Sequence, residues 1–294
     1  INSSINKVIE SGNYILGKEV ESFETEFSQF IDVKYSIGVA SGTDAIEIGL
    51  KSLGISTGDE IITVSHTAVA TVAAIESSGA TPVLVDIEEE YYTLNSSLLD
   101  EVYTSATKAV LIVHLYGQSC DIEAISQFCR AKNIFLIEDA SQAHGASYKG
   151  RRIGSFGDIS CFSFYPTKNL SAMGDGGIIC TNSQYIAEKA KRIRTYGWND
   201  KRISIETGRC SRLDEFQAAI LRIKLRYLEE SNNKRYKIAS IYNNELKDTD
   251  LLLPKVRIDT KHAYHLYVIK SSKREKIMNA LISKDIFCKI HYPC

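Results

Sequence analysis

Ile134-Phe135-Leu136-Ile137-Glu138-Asp139 is an apolar run that ends in two carboxylates. This is the pattern of a buried strand that delivers acid groups to its C-terminal edge. Similar runs flank it in a regular series. Between about residues 36 and 181, β-rich stretches alternate with amphipathic ones: Ser36 to Ala40 then Ala45 to Leu53, Glu60 to Val64 then Val69 to Ser77, Pro82 to Val85 then Leu98 to Tyr103. Ala109 to Leu115, a helix near Ile122 to Ala131, Ile134 to Glu138, Ile159 to Phe164 and Ile178 to Thr181 continue the pattern. This spacing predicts parallel crossover units with right-handed connections, helices on both faces and a sheet buried on both sides.

Beyond Ser183 the sequence turns helical, with one long amphipathic segment predicted from Leu213 to about Leu246. After Pro254 the composition changes: Ala263 to Lys270 alternates in strand fashion, Arg274 to Ser283 has helical period, and Ile286 to Ile290 is strand-like. The expected division is a large domain over 1–250 and the start of a smaller α+β domain over 251–294. A chain that begins at Ile1 and stops at Cys294, just after a strand-like run, is expected to be part of a longer protein.

The composition sets limits on function. The 294 residues are 44% hydrophobic and 24% charged, enough for a large core. A formal net charge of -1 gives no global footprint for nucleic acid or an anionic membrane. The seven cysteines (Cys120, Cys129, Cys161, Cys180, Cys210, Cys288, Cys294) include no C-x-x-C pair, so buried free thiols in a reducing cytosol are expected and no metal site is. No apolar stretch reaches the length of a membrane span, and a cytoplasmic location is expected.

Lys168 lies in Cys161-Phe162-Ser163-Phe164-Tyr165-Pro166-Thr167-Lys168-Asn169-Leu170, with Gly174-Asp175-Gly176-Gly177 just beyond. Most lysines are on the surface. This one follows a β-rich run and a proline and precedes a turn poor in side chains, which lets a flat ring approach the backbone. A desolvated lysine beside a cationic cofactor has a lowered pKa and can act as nucleophile and then as base. With Asp139 positioned to keep a pyridine nitrogen protonated, the two residues meet the needs of a pyridoxal 5'-phosphate enzyme.

Further candidates surround this pair. The turn Ser41-Gly42-Thr43-Asp44-Ala45 between a strand and a helix has an N-cap signature whose N–H groups and Thr43 hydroxyl would suit a phosphate; a simple cap is the plainer reading. Ser163 could add a hydroxyl, and Gln142 could hydrogen-bond the ring's phenolic oxygen. Glu138 reads as a solvated or salt-bridged carboxylate, and His144 as a satisfied imidazole behind the site rather than a catalyst.

These motifs, with Gly12-Asn13-Tyr14-Ile15-Leu16-Gly17, Gly58-Asp59-Glu60-Ile61-Ile62, Gly79-Ala80-Thr81-Pro82-Val83 and Arg212-Leu213-Asp214-Glu215-Phe216-Gln217-Ala218-Ala219, resemble the DegT/DnrJ/EryC1/StrS nucleotide-sugar aminotransferases over essentially the whole chain. The resemblance implies a fold type I, aspartate-aminotransferase-like architecture: three α/β/α layers about a mainly parallel seven-stranded sheet. It further implies a homodimer with active sites at the subunit interface, Lys168 as the Schiff-base residue, Asp139 at the pyridine nitrogen, Gln142 near the ring oxygen, and Gly42, Thr43 and Ser163 at the phosphate. Two departures stand out. Where many members carry a stacking aromatic this chain reads Ser65-His66-Thr67-Ala68, which leaves stacking to His66 or to no residue. Where members usually have Asn before Ser/Tyr-Arg it has Cys210-Ser211-Arg212.

The implied reaction moves an amino group from L-glutamate to a keto nucleotide sugar. The segment from Phe164 to Leu170, Gly174-Asp175-Gly176-Gly177 and Val64 to Thr71 look like members that aminate C3 of dTDP-3-keto-6-deoxyhexoses, with Tyr165 facing the substrate. C4 amination, a non-catalytic protein that binds pyridoxal phosphate or nucleotide sugar, and another pyridoxal phosphate reaction are the alternatives.

Overall fold

The structure is a computed structural model and describes residues 1–293; Cys294, counted above among the thiols, lies outside the described residues. Seven strands form one sheet: β1 (Tyr35–Val39), β2 (Glu60–Val64), β3 (Thr81–Val85), β4 (Thr107–Val113), β5 (Phe135–Asp139), β6 (Ile159–Ser163) and β7 (Gly177–Thr181). Their spatial order is β1-β7-β6-β5-β4-β2-β3, and β7 alone runs antiparallel to its neighbours. The sheet is therefore α/β and mainly parallel, as the alternation predicts. Its central strand is the Ile134–Asp139 run, hydrogen-bonded to β4 from Ala109↔Phe135 to Val113↔Asp139. That register puts Asp139 at the carboxyl end of the sheet, the edge where open α/β sheets bind ligands.

The helices in chain order are α1 (Asn2–Ser11), α2 (Lys18–Ile31), α3 (Gly42–Ser52), α4 (Val69–Ser78), α5 (Leu99–Val102), α6 (Ile122–Lys132), α7 (Gln184–Ile193), α8 (Glu215–Leu225), α9 (Leu228–Leu246) and α10 (Arg274–Ile282). None among the described residues is long and apolar enough to cross a membrane. On one side of the sheet Phe23 and Phe27 of α2 meet Phe162 and Phe164 edge-on, with ring centroids 5.1–5.6 Å apart. Such pairs add specific geometry to apolar burial and fix α2 against the end of β6, next to Lys168.

The start of α2 is held by one carboxylate. Glu215, 3% exposed, accepts from the N–H groups of Gly17 (2.8 Å), Glu19 (2.9 Å) and Val20 (2.9 Å). It satisfies donors that the first turn of a helix leaves free and opposes the positive end of the helix dipole. This explains structurally why the Gly12–Gly17 and Arg212–Ala219 stretches belong together. Glu215→Ala strands those donors and is expected to cost about 3 kcal/mol, a fall in Tm of roughly 5–10 °C by calorimetry. A Tm within about 1 °C of the parent would show that the caps contribute no net stability.

The sequence reading departs from the structure in the second half. The predicted helix over Leu213 to Leu246 is two helices, interrupted at Arg226–Tyr227, where Tyr227 has φ -106 and ψ 1. Neither Gly nor Pro marks the break, and apolar periodicity continues through it; Leu228 is buried on the far side. The strand-like runs Ala263 to Lys270 and Ile286 to Ile290 form no ladder. Only Lys270 makes an isolated bridge, to Leu252, and Phe287 is 83% exposed. Alternation reports which side chains suit a pleated face, whereas a strand also needs a neighbour with free backbone groups. Thr260–Lys261 does pair, joining the short ribbon Ser147–Tyr148 and Arg151–Arg152.

Candidate active site

Where the carboxyl ends of β4, β5 and β6 meet the start of α3, a cavity of about 250 Å³ is lined by Ser41, Gly42, Thr43, Thr67, Ala68, Asp139, Gln142, Ser163, Tyr165, Lys168 and Asp175, among others. Seven candidates from distant parts of the sequence thus share one wall: Gly42, Thr43, Asp139, Gln142, Ser163, Tyr165 and Lys168.

Ser41 caps α3, its Oγ accepting from Asp44 N–H (3.1 Å) and its carbonyl from Ala45 N–H (3.0 Å). The N–H groups of Gly42 and Thr43 enter no hydrogen bond among the described residues. Two free donors at a helix N-terminus, beside a Ser163 hydroxyl that accepts from Tyr165 N–H (3.3 Å), form a cradle for an anion. The approach requires glycine. A Cβ on Gly42 would stand 2.5 Å from Ser163 Cβ, and one on Gly177 would stand 2.2 Å from the Ser41 carbonyl oxygen.

Asp139 is 5% exposed and held from two sides. Its Oδ2 accepts from Thr71 Oγ1 (2.8 Å), its Oδ1 from Ser141 N–H (3.1 Å), and Thr71 is hydrogen-bonded in turn to Thr67 (2.8 Å). One residue earlier on β5, Glu138 points to the opposite face and is fully buried. It meets His114 Nε2 at 3.1 Å and accepts from the N–H groups of Gly154, Phe156 and Gly157, each at 2.8 Å. A hydrogen-bonded imidazole stands where an ionic partner or solvent is expected. Burial alone would push the Glu138 carboxyl up; the bonds from His114, Gly157 and Gly154 outweigh it and hold the group below its ordinary range. Cys120 N–H donates to His114 Nδ1 (3.2 Å), so Nε2 carries the proton shared with Glu138.

Lys168 sits in the turn after β6, its N–H donating to the Tyr165 carbonyl (2.9 Å). Burial lowers the pKa of its amine, and Asp139 pulls the other way. Nζ makes no hydrogen bond or ion pair among the described residues, so a reactive amine faces the cavity without a protein partner. Tyr165, 52% exposed, forms the outer lip.

Gln142 is oriented by its neighbours: Oε1 accepts from Tyr116 N–H (2.7 Å), and Nε2 donates to Tyr292 Oη (2.7 Å). His144 is packed behind Lys168 against Phe162 and Phe164, with centroids at 5.3 and 5.8 Å. Burial, then the charge of Lys168, pushes its pKa well below the ordinary value. It is not the satisfied imidazole expected, because neither ring nitrogen has a hydrogen-bond partner among the described residues. It fills space as a neutral aromatic ring.

His66 is the candidate that the fold turns away. Its Nε2 lies 2.9 Å from Tyr116 Oη, and its ring lines an adjacent cavity of about 690 Å³ with Tyr92 and Tyr116. Thr67 and Ala68 face the lysine cavity in its place. The chain bends here, Thr67 N–H donating to the Ser65 carbonyl (3.0 Å), and the bend sends His66 and Thr67 to different cavities. Arg212 also lies apart, lining a cavity of about 810 Å³ with Arg192, Arg194 and Trp198; Ser211 donates to Asp44 Oδ2 (2.7 Å) beneath α3. Sequence reasoning missed Thr71, Tyr116 and Tyr292. Thr71 lies in a quoted motif and could have been found as a hydroxyl one helical turn from Thr67, whereas the two tyrosines come from segments with no chemical signature.

An amine and a carboxylate on the carboxyl edge of a mainly parallel sheet, next to an anion cradle, define an enzyme of the aminotransferase type. The comparisons agree. The model of the DegT/DnrJ/EryC1/StrS aminotransferase family matches residues 1–294, and the chain belongs to that family. It is 46% identical to the dTDP-3-amino-3,6-dideoxy-alpha-D-galactopyranose transaminase of Aneurinibacillus thermoaerophilus, over 100% of this chain and 81% of that one. It superposes on the structure of Streptomyces venezuelae DesV in complex with a ketimine intermediate with a TM-score of 0.98, at 40% identity, covering 100% of this chain and 79% of the other. A third similarity is to NtdA of Bacillus subtilis with bound cofactor PMP: TM-score 0.91, 32% identity, 99% and 68% coverage.

Proposed function

We propose that the chain is a pyridoxal phosphate-dependent transaminase that moves an amino group from L-glutamate to C3 of a keto nucleotide sugar, with a dTDP-linked 3-keto-6-deoxyhexose as the first candidate. The observation that carries this is a single cavity holding the unpaired Lys168 amine, the Asp139 carboxylate and the free N–H groups of Gly42 and Thr43. These residues fit the cofactor's three polar features: an aldehyde for the amine, a ring nitrogen for the carboxylate, and a phosphate for the cradle. When bound, the cofactor supplies an electron sink that takes an amino group from one substrate and passes it to another.

Within that scheme Asp139 Oδ holds the proton on the ring nitrogen, because an adjacent negative charge favours the cationic form. Lys168 Nζ would hold the cofactor's aldehyde carbon and, as a free amine, would be the base placed to remove and return the proton at the reacting carbon. Its lowered pKa raises the fraction present as free base. Gly42, Thr43 and Ser163 orient the phosphate, Gln142 the ring oxygen, and Tyr165 meets the sugar at the lip. The Aneurinibacillus thermoaerophilus relative, named as a dTDP-3-amino sugar transaminase, supports C3. A homodimer with shared sites belongs to the same reading, as does a cytoplasmic setting, the latter supported by the buried free thiols Cys120, Cys129, Cys161 and Cys180.

The test is incubation of the loaded protein with glutamate and a panel of 3-keto and 4-keto nucleotide sugars, with the new amine located by NMR. Amine at C3 is expected. Amine at C4 would overturn the regiochemistry, and a visible band that no amino donor bleaches would overturn transamination.

A further inference from the structure

We propose that Tyr292 is a cofactor-contacting residue, its hydroxyl donating a hydrogen bond to the phenolic oxygen of the pyridoxal ring; this rests on the reading of the site given above. Gln142 sets the direction of this hydroxyl. Its Oε1 is committed to Tyr116 N–H (2.7 Å), so the amide can meet Tyr292 only through Nε2. That group donates, which makes Tyr292 Oη the acceptor at 2.7 Å. The hydroxyl hydrogen of Tyr292 then has no acceptor among the described residues. That O–H is left free to donate to a ligand bound beside Gln142.

The segment is held in place independently. Tyr116 Oη donates to the His291 carbonyl (2.7 Å), so it must accept from His66 Nε2 at 2.9 Å. This gives His66 a use that its exclusion from the lysine cavity left open: it orients Tyr116, whose backbone N–H orients Gln142 and whose hydroxyl anchors the residue before Tyr292. Burial raises the pKa of Tyr292, and Asp139 raises it further against the bond from Gln142. The phenol therefore stays protonated at neutral pH and can donate.

Ring constitution selects the acceptor. With the nitrogen at Asp139, the aldehyde carbon at Lys168 and the phosphate arm at Gly42, the remaining edge carries the methyl group and the phenolic oxygen. Gln142 lines the cavity beside Asp139, and Tyr292 Oη stands against it at 2.7 Å, so these are the polar groups nearest that edge. A donor there stabilises the oxygen as an anion, and so lets the lysine-linked nitrogen lose its proton at lower pH.

The test is a pH titration of the visible absorption of the full chain loaded with pyridoxal phosphate. Titratable groups around Tyr292 and Lys168 are Asp139, His66, Tyr116, His144, His265 and His291, all retained in the variant. Tyr292→Phe is expected to form the same band with its midpoint raised by about one unit, a roughly tenfold change in proton affinity. A band with an unmoved midpoint overturns the proposal. Should phenylalanine fail to hold the segment, Tyr116→Phe releases the His291 carbonyl that places Tyr292 while keeping the backbone N–H that orients Gln142, and should move the midpoint in the same direction; no rise there overturns it equally. Absence of any band in the parent protein would overturn the reading of the site as well, and only that outcome reaches it.

Discussion

Lys168→Ala is expected to lower turnover by roughly 10³–10⁴-fold, the range of a positioned acid–base group, and to abolish the lysine-linked visible band. The amine has no protein partner among the described residues, so its removal leaves no buried group unpaired, and the variant should melt close to the parent. Loss of activity then reads chemistry rather than folding. Lys168→Arg should be nearly as inactive, because a guanidinium keeps its proton at any working pH. Added small primary amines should restore part of the lost rate to the alanine variant, by filling the space that the side chain vacates. Full activity in Lys168→Ala would remove the basis for the proposed function.

That prediction could be written from the sequence because the residues that carry it mark themselves. Lys168 follows an apolar β run and precedes four small or turn-forming residues, and Asp139 ends another apolar run; both signals are local. The seven-stranded sheet was legible for the same reason, since each crossover repeats a short apolar run and an amphipathic one. Residues whose role depends on a distant neighbour were not legible. Glu215 caps a helix some 195 residues earlier in sequence, and nothing beside it announces that. Tyr116 and Tyr292 meet through Gln142, although 176 positions separate them. The sequence leaves stacking to His66 or to no residue, because a motif gives its neighbourhood but not the direction of one side chain; the structure places His66 on the adjacent cavity. The break between α8 and α9 and the unpaired run over 286–290 have the same origin. Periodicity records burial, while backbone pairing and chain direction are settled by what packs alongside.

Asp139→Asn is expected to lower turnover by roughly 10²–10³-fold with the fold intact, which separates the charge of this residue from its shape. The asparagine oxygen can still accept from Ser141 N–H, and the amide nitrogen can donate to Thr71 if that hydroxyl turns toward Thr67. The Thr67–Thr71 pair is free to do so, since either hydroxyl can be its donor. What is lost is the negative charge that favours a protonated ring nitrogen, and with it the pull of electrons away from the reacting carbon. The same charge raises the pKa of Lys168 against the effect of burial. Its removal should therefore lower that pKa further, moving the acid limb of the pH–rate profile to lower pH while the plateau falls. A variant that loses rate without this displacement would show that Asp139 acts only by holding the ring in place. A variant with an unchanged rate would show that the ring nitrogen finds its proton elsewhere.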